Sequence, residues 1–394
     1  MPSELALEVG RRIAYRRRMA RMTQVQLATA ANIGLGTLCK IERGARGAGD
    51  GVLDAIAGAL GVDPSALLPD HGRSDNRVHQ AMPALSAVIA TYDMPDDGPV
   101  RPLQELSATT GKAVQWRLGA QYVHITRHLP ELLAELSRAF HAAPAETRSE
   151  VASLLVAAYR TADAVAYKYR AHDLSARLID LMRWAAEFAE DPLLNAHTAY
   201  VRTEVHFAAR AHGAGLRALQ AAIDAAPPPS RPQAIAARGA LHMRAAVIAG
   251  RAGDVAAATE HLDEALAHAD RVPEAIYCGT AFGPDSARIH EVSVAVSLGG
   301  EHLQRALDVA SSWSPPRDMG QERRSGFYIE LARAELWSAK PDAAFKSLQR
   351  ARRIAPQHAR EHLWVRDDVA TIRRIKRAER DELDAFCDWC HARG

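Results

Sequence analysis

Cationic side chains are concentrated at the amino terminus, where they could contact the phosphates of a polyanion. Residues 1–50 hold nine lysines and arginines against four acidic residues, a local net charge of +5, whereas the whole chain carries +2. A basic module attached to a nearly neutral chain is typical of proteins that bind nucleic acids. The nine cations are Arg11, Arg12, Arg16, Arg17, Arg18, Arg21, Lys40, Arg43 and Arg46.

Two other patterns could bind a metal ion, but neither is complete. Cys387 and Cys390 have the spacing of a zinc-ligand pair, yet no second pair accompanies them, so we interpret them as neighbours on one helix. His358, Glu361 and His362 match an inverted zinc-protease pattern, but only 32 residues follow to supply a third ligand. We therefore expect neither an enzyme nor a cofactor, and a hydrolase using His358 and His362 is an alternative interpretation.

Composition predicts an all-α protein of more than one domain. The chain has 394 residues, of which 48% are hydrophobic and only 6% aromatic, with alanine supplying much of the apolar content. Such a sequence favours closely packed helices, and we find no strand-like alternation anywhere. There is no apolar signal segment and no stretch long enough to span a membrane, so the expected location is the cytoplasm.

Five helices are predicted within the first 69 residues. Thr23 and Gln26 form a capping-box pattern at the start of the second helix, and Asn32 to Gly34 predicts a turn in which Asn and Gly tolerate a positive φ. Gly44 is a typical residue after the end of a helix. The expected helices are Leu5–Met19, Gln24–Ala31, Leu35–Arg43, Val52–Leu60 and Pro64–Leu68.

This unit resembles the Cro/repressor-type (XRE) helix-turn-helix family. The resemblance spans residues 5–68. It rests on polar residues at the start of the second helix, a small residue where the second and third helices cross, and four apolar positions that pack these two helices together. The residues concerned are Thr23, Gln24, Leu27, Ala28, Ala31, Ile33, Thr37, Leu38, Lys40, Ile41, Glu42, Arg43 and Gly44. The resemblance implies that the helix from Leu35 enters the major groove of double-stranded DNA.

The resemblance also implies particular contacts with DNA. Leu35, Gly36 and Cys39 are the base-facing positions, and their small or apolar side chains exclude bidentate contacts with guanine or adenine. Thymine methyl groups and DNA shape must then supply more of the selectivity. Thr37 and Lys40 are the remaining polar candidates near the bases. Phosphate contacts are assigned to Gln24, Lys40, Arg43 and Arg46, with Arg17 or Arg18 as further possibilities.

The rest of the chain is divided into a linker with a connecting helix, residues 70–101, and a helical-repeat domain, residues 102–394. Residues 69–79 and the Met94–Pro99 segment are polar and rich in turn-forming residues. A weak repeat places small and apolar residues at equivalent positions of three helices. Equivalent positions are 45 and 41 residues apart, whereas a standard tetratricopeptide repeat is about 34 residues long. The repeat positions are Ala258, Leu262 and Ala265, then Leu307 and Ala310, then Ala344, Leu348 and Ala351. We predict a degenerate tetratricopeptide-like solenoid with extended helices or loops.

This second region is similar to an actinobacterial type of regulator that combines a repressor-like head with a tetratricopeptide-like body. The segments that carry the resemblance are residues 91–100, 282–284, 290–296, 330–334 and 354–356. It implies a body that senses a peptide, a small molecule or a partner protein. The candidate ligand residues lie in or just after a glycine-rich interruption, namely Tyr277, Phe282, Arg288 and His290.

The sequence thus predicts a sequence-specific transcriptional regulator that binds an operator as a homodimer. Half-sites would then lie about 34–36 Å apart. A protein-interaction adaptor with weak or no DNA binding remains the alternative, because the base-facing set is apolar.

Overall fold

The structure is a computed structural model that describes residues 4–62, 64–67, 72–376 and 380–392. Its fold is all-α with one small hairpin, as the composition predicts. Four helices and a 3₁₀ turn form the amino-terminal unit. They are α1 (Glu4–Met19), α2 (Gln24–Ala30), α3 (Leu35–Glu42), α4 (Asp50–Ala59) and the 3₁₀ turn Pro64–Leu67.

Local sequence signals explain how the amino-terminal unit is built. Thr23 and Gln26 make the reciprocal hydrogen bonds of a capping box at the start of α2, and Asn32 takes a φ of 50° in the turn. Gly34 does not use its conformational freedom there, because its φ is −65° and it caps α3 in an extended conformation. Gly10 permits close packing of α1 on α3, since a Cβ there would lie 2.2 Å from the carbonyl oxygen of Ile41.

This unit has a hydrophobic core of its own. The core joins the buried face of α1 to the apolar positions of α2 and α3 and to α4. Its buried members are Val9, Ile13, Leu27, Ala28, Ala31, Leu38, Ile41, Leu53, Ile56, Ala57 and Leu67. A separate core is consistent with an independent domain, and the boundary near residue 69 remains a prediction because residues 68–71 lie outside the described chain.

The segment expected to connect the two domains is largely helical. α5 (Gly72–Ala90) covers most of residues 69–79, so the polar linker predicted there is helical from Gly72 onward. Val78, Leu85 and Ile89 of α5 are buried in the core of the following helices, which makes α5 part of the body. The predicted break at Met94–Pro99 is present and lies within a non-helical segment, residues 91–102.

Antiparallel helix pairs form the solenoid. Each pair packs along its length, and each even-numbered helix from α6 to α16 also contacts the next even-numbered helix. The helices are α6 (Leu103–Leu118), α7 (Tyr122–Ala142), α8 (Ala145–Lys168), α9 (His172–Ala189), α10 (Pro192–Ala208), α11 (His212–Ala225), α12 (Pro232–Ala252), α13 (Val255–Ala269), α14 (Pro284–Leu298), α15 (Leu303–Ser312), α16 (Gln321–Trp337), α17 (Pro341–Ile354), α18 (Pro356–Glu361), α19 (Leu363–Ile375) and α20 (Arg380–Cys390).

The predicted repeat positions are all buried in α17, and in α13 they are buried except for Leu262, which is half-buried. Ala258 and Ala265 of α13 are fully buried, as are Ala344, Leu348 and Ala351 of α17. In α15 the predicted buried positions are wrong by one residue. Leu303, Ala306 and Val309 are its buried positions, whereas Leu307 and Ala310 are only half-buried. The buried positions are shifted because α15 begins only at Leu303, after a 3₁₀ turn at Gly300–His302.

A β-hairpin lies between α13 and α14, contrary to the expectation of no strands. β1 (Ala275–Tyr277) pairs antiparallel with β2 (Thr280–Phe282). The two turn residues, Cys278 and Gly279, both have positive φ values of 47° and 81°, as a tight two-residue hairpin requires. Three-residue strands are too short to show an alternation of apolar and polar residues. The sequence feature that could have indicated the hairpin is the pair of turn residues, Cys278 and Gly279.

Candidate nucleic-acid interface and inner cavity

The outer face of α3 is open to solvent. Leu35 is 43% exposed, Gly36 and Lys40 are also exposed, and Thr37 is half-buried. A Cβ added to Gly36 would meet no atom within 4 Å. The inner positions of the same helix, Leu38 and Ile41, are buried in the core, so the sequence periodicity alone sets which face points outward.

A buried carboxylate fixes α3 against α1 and α2. Glu42 accepts hydrogen bonds from Arg17 Nε at 2.7 Å, Arg17 Nη2 at 2.9 Å and Gln24 Nε2 at 2.7 Å. Burial alone would raise the pKa of Glu42, but these hydrogen bonds outweigh it and lower the pKa. Arg17 also donates to the Met22 carbonyl at 3.0 Å, so three of its five N–H groups are used within the protein. Its contact with phosphate remains a prediction.

Gln24 and Cys39 face each other across the two helices. The Cys39 thiol lies 3.5 Å from Gln24 Oε1, and both residues are half-buried. Gln24 is therefore held on both sides of its amide, by Cys39 and by Glu42. Their assigned DNA contacts remain predictions, while the geometry shows that they join α2 to α3.

Three exposed cations flank the outward face of α3. Arg43 donates from Nε to the Cys39 carbonyl at 3.1 Å, which leaves its two terminal nitrogens available to a ligand. The side chains of Lys40 and Arg46 make no hydrogen bond or ion pair with any residue that the structure describes. Free cations beside an exposed helix provide the contacts that phosphate binding requires.

The four predicted ligand residues do not form one site. Phe282 is fully buried and packs so closely on α12 that a Cβ at Gly239 would lie 2.0 Å from its ring, so it is a core residue rather than a ligand contact. Arg288 is exposed, and its guanidinium lies 5.8 Å from the centre of the Trp313 ring. Tyr277 donates to the Pro273 carbonyl at 2.9 Å and borders a small pocket of about 10 Å³. Of the four, His290 alone lines a larger cavity, of about 290 Å³, which lies among the even-numbered helices of the solenoid.

Because Phe282 is a core residue, Phe282→Ala is expected to lower the free energy of unfolding by about 3–5 kcal/mol. Denaturant titration of the purified protein measures this loss. Tyr277→Phe is the matched control, since it removes one hydroxyl from a half-buried ring and should cost about 1 kcal/mol or less. A Phe282→Ala protein as stable as the control would contradict the core assignment.

The cavity of about 290 Å³ lies among the even-numbered helices of the solenoid. Its wall is built by the even-numbered helices α6 to α18 together with the hairpin turn, so helix pairing places one helix of each pair against the cavity. Arg117 of α6 holds the hairpin by donating to the Gly279 carbonyl at 2.9 Å. The glycine-rich interruption between α13 and α14 therefore serves as a wall of the cavity.

Charged side chains line this cavity. Arg160 donates to Asp163 at 2.6 Å and to Glu204 at 3.2 Å, and Lys168 lies 2.9 Å from Glu322. Lys168 also lies 3.1 Å from His358 Nε2. Burial and the nearby Lys168 charge lower the pKa of His358 to about 3, so this histidine is neutral and can accept a hydrogen bond from the lysine.

Sequence reasoning missed this charged cavity because its residues come from helices far apart in the chain. Arg117 and His358 are separated by 241 positions, and each lies on a separate helix. The arginines in α8, α12 and α16 are ordinary helix residues when read locally. Only the curvature of the solenoid brings them together.

The side chains of both incomplete metal-binding patterns make structural contacts. Cys387 and Cys390 are buried neighbours on α20, and His358 contacts Lys168. Within the described ranges, no group of three or more His, Cys, Asp or Glu residues is placed to hold a metal ion. None of the helices in that part of the chain has the length and apolarity needed to cross a bilayer.

Comparison with known proteins finds similarity concentrated in the amino-terminal unit. Residues 13–67 match the profile of a helix-turn-helix family. An immunity repressor protein of Bacillus phage phi105 is 42% identical over 62 residues, which is 16% of this chain and 43% of the repressor. The chain thus matches less than half the length of this curated relative. The crystal structure of PlcR from Bacillus thuringiensis with the peptide PapR7 and DNA aligns with 67% of this chain and 95% of PlcR, at 12% identity and a TM-score of 0.29.

Proposed function

We propose that this protein, whose amino-terminal domain is a helix-turn-helix domain of the Cro/repressor type, is a DNA-binding transcriptional regulator. The observation that carries the proposal is the exposure of the outer face of α3 beside three free or nearly free cations, Lys40, Arg43 and Arg46. A helix presented in this way can enter the major groove while the cations contact phosphates on either side.

Recognition of the operator would rest on few polar groups. Leu35 and Gly36 present an apolar surface suited to contact with thymine methyl groups, and Thr37 and Lys40 are the polar side chains nearest to it. Because bidentate base contacts are lacking at these positions, the sequence-dependent shape of the DNA must contribute to selectivity.

The helical body is proposed to bind an effector and to pass its effect to the head. Asp54 of α4 forms an ion pair with Arg127 of α7, which links the DNA-binding unit to the body. α7 packs on α8, and α8 carries Arg160 and Lys168 on the cavity wall. This chain of packed helices gives a physical connection between the cavity and the DNA-binding head.

The proposed form on DNA is a homodimer. A single helix-turn-helix unit buries little surface, and two units on half-sites about 34–36 Å apart would share the binding energy. Light scattering of the protein with and without operator DNA measures the stoichiometry, and one protomer per operator would contradict the dimer.

A gel shift with the promoter region of the protein's own gene, at two salt concentrations, tests the proposal. Binding that is sequence-selective and weakens steeply with salt supports a DNA-binding regulator. Absence of any shift at low salt would favour the alternative, an adaptor that uses the apolar face around Leu35 for a partner protein.

Lys40→Ala is expected to weaken binding to specific and nonspecific DNA alike. Loss of one phosphate contact should make the plot of log affinity against log salt concentration shallower by about one. Fluorescence anisotropy at several salt concentrations measures the slope. Lys346→Ala, a lysine on α17 far from the head in sequence, is the matched control and should leave the slope unchanged. An unchanged slope for Lys40→Ala would remove this residue from the phosphate contacts.

A further inference from the structure

The inner cavity carries more positive than negative charge. Six cations line its wall, against three carboxylates. The cations are Arg117, Arg160, Lys168, Arg244, Arg251 and Arg323. The carboxylates are Glu204, Glu322 and Glu330. Even when the buried Asp163 behind Arg160 is counted as a fourth anion, two positive charges remain in excess.

Three of these arginines have no carboxylate partner in the described chain. Arg117 donates only to the Gly279 carbonyl, and Arg323 only to Ser286 Oγ and the Ala281 carbonyl. Arg251 makes neither a hydrogen bond nor an ion pair within the described residues. Arg117 is buried, and Arg251 and Arg323 are half-buried. Guanidinium groups that are partly withdrawn from water without a counterion are costly to maintain, and an anion in the cavity would complete the site.

Aromatic rings hold two of the arginines in place. The guanidinium of Arg251 lies 4.1 Å from the centre of the Phe207 ring, and that of Arg244 lies 4.4 Å from the Tyr200 ring. Stacking fixes the plane of a guanidinium and leaves its N–H edge free. An anionic group with two oxygens could then accept paired hydrogen bonds at little entropic cost.

Glu204 lies 3.2 Å from Arg160 and 3.7 Å from Arg244, so it compensates part of the positive charge, but two other acidic groups are shifted toward their neutral forms. Burial and the neighbouring Glu204 carboxylate raise the pKa of Asp163 to about 8. Burial also raises the pKa of Glu330, which accepts a hydrogen bond from Ser293. The raised pKa of each group favours its neutral form, which increases the positive charge that a ligand would meet.

We propose that the inner cavity binds a small organic anion whose carboxylate or phosphate group is held by Arg251, Arg244 and Arg323. The volume of about 290 Å³ is at the lower end of the range for ligand pockets, which favours a metabolite-sized molecule over a longer peptide. Val247, Ile276 and Phe327 supply apolar wall for the remainder of such a ligand. The inference deepens the proposed effector site and rests on that proposal for its regulatory meaning.

Thermal unfolding of the full-length protein in defined anions tests the site. Sodium phosphate and sodium citrate, as phosphate and carboxylate sources, are compared with sodium chloride at equal ionic strength. At about ten times the dissociation constant, the bound anion should raise Tm by about 2 °C. Whichever anion gives the larger shift identifies the preferred group. Arg251→Gln should abolish the shift and weaken binding at least tenfold in calorimetric titration.

The variants distinguish a ligand site from a structural role. Without the anions, Arg251→Gln should be as stable as the natural protein or more so, because an unpaired charge is removed; Arg251→Lys should keep weaker binding. Arg217→Gln, a substitution on α11 away from the cavity wall, is the matched control and should keep the full anion effect.

Three outcomes would overturn the proposal. The first is an equal shift in all variants, and the second is no shift with either anion. The third is stabilisation by an acidic peptide such as penta-aspartate but by neither small anion. No DNA is present in these measurements, so failure here is distinct from failure of the gel shift.

Discussion

Gly36→Glu is expected to abolish specific DNA binding while leaving the protein folded. The position is exposed on the outer face of α3, and a Cβ added there meets no atom within 4 Å. Glutamate is a better helix former than glycine by up to about 1 kcal/mol, so the helix itself should be slightly stabilised. On DNA, however, a carboxylate would face the negatively charged groove, where juxtaposed like charges cost several kcal/mol.

The expected loss of operator affinity is about 100-fold or more, since each 1.4 kcal/mol corresponds to about a tenfold change. Anisotropy with the promoter fragment measures it, and circular dichroism confirms that the fold is retained. Gly58→Glu is the matched control, because Gly58 is also an exposed helical glycine with no atom near its added Cβ, but on α4. Equal affinity of both variants for DNA would show that α3 is not the groove-facing helix.

Glu42→Ala is expected to destabilise the amino-terminal domain by about 3–5 kcal/mol, the usual cost of breaking a buried ion pair on one side. The side chains of Arg17 and Glu42 are 14% and 5% exposed, so removal of the carboxylate leaves a guanidinium and the Gln24 amide without their acceptor. The same change frees α3 from α1 and α2, so DNA affinity should fall along with stability.

Two comparisons isolate the effect of burial in this pair. Glu8→Ala breaks the exposed pair of Glu8 with Arg12 and should cost less than about 0.5 kcal/mol. The double change Arg17→Met with Glu42→Leu should recover much of the lost stability, because no unpaired charge remains. Denaturant titration followed by a probe in the first domain measures all three, and an equal cost for Glu8→Ala and Glu42→Ala would refute the structural role.

The same carboxylate gives a signed pH dependence. The folded state lowers the pKa of Glu42, so its contribution to stability is present above the unfolded value of about 4.3 and is lost as the pH falls through the lower folded value. Glu42→Ala should therefore show less acid destabilisation than the natural protein.

Local sequence signals determined the architecture of the head. The capping box at Thr23, the positive φ of Asn32 and the positive φ of Gly44 after the end of α3 are all present as predicted. Each of these features depends on contacts within a few residues of the chain. The exposure of α3 follows in the same way, because Leu38 and Ile41 can be buried only if Gly36 and Lys40 face outward. The roles of Arg17 and Phe282 did not follow, since each depends on partners more than 20 residues away.

The sequence by itself determined that the protein is helical, that a basic helix-turn-helix unit comes first, and that paired helices follow. These features depend on periodicity, caps and local charge, which act between near neighbours in the chain. Tertiary structure alone decided that Arg17 stabilises the head, that Phe282 fills the core, and that Arg117, Arg251 and Arg323 share a cavity. Which distant side chains meet depends on the summed curvature of many helix pairs, and no short stretch of sequence encodes that sum.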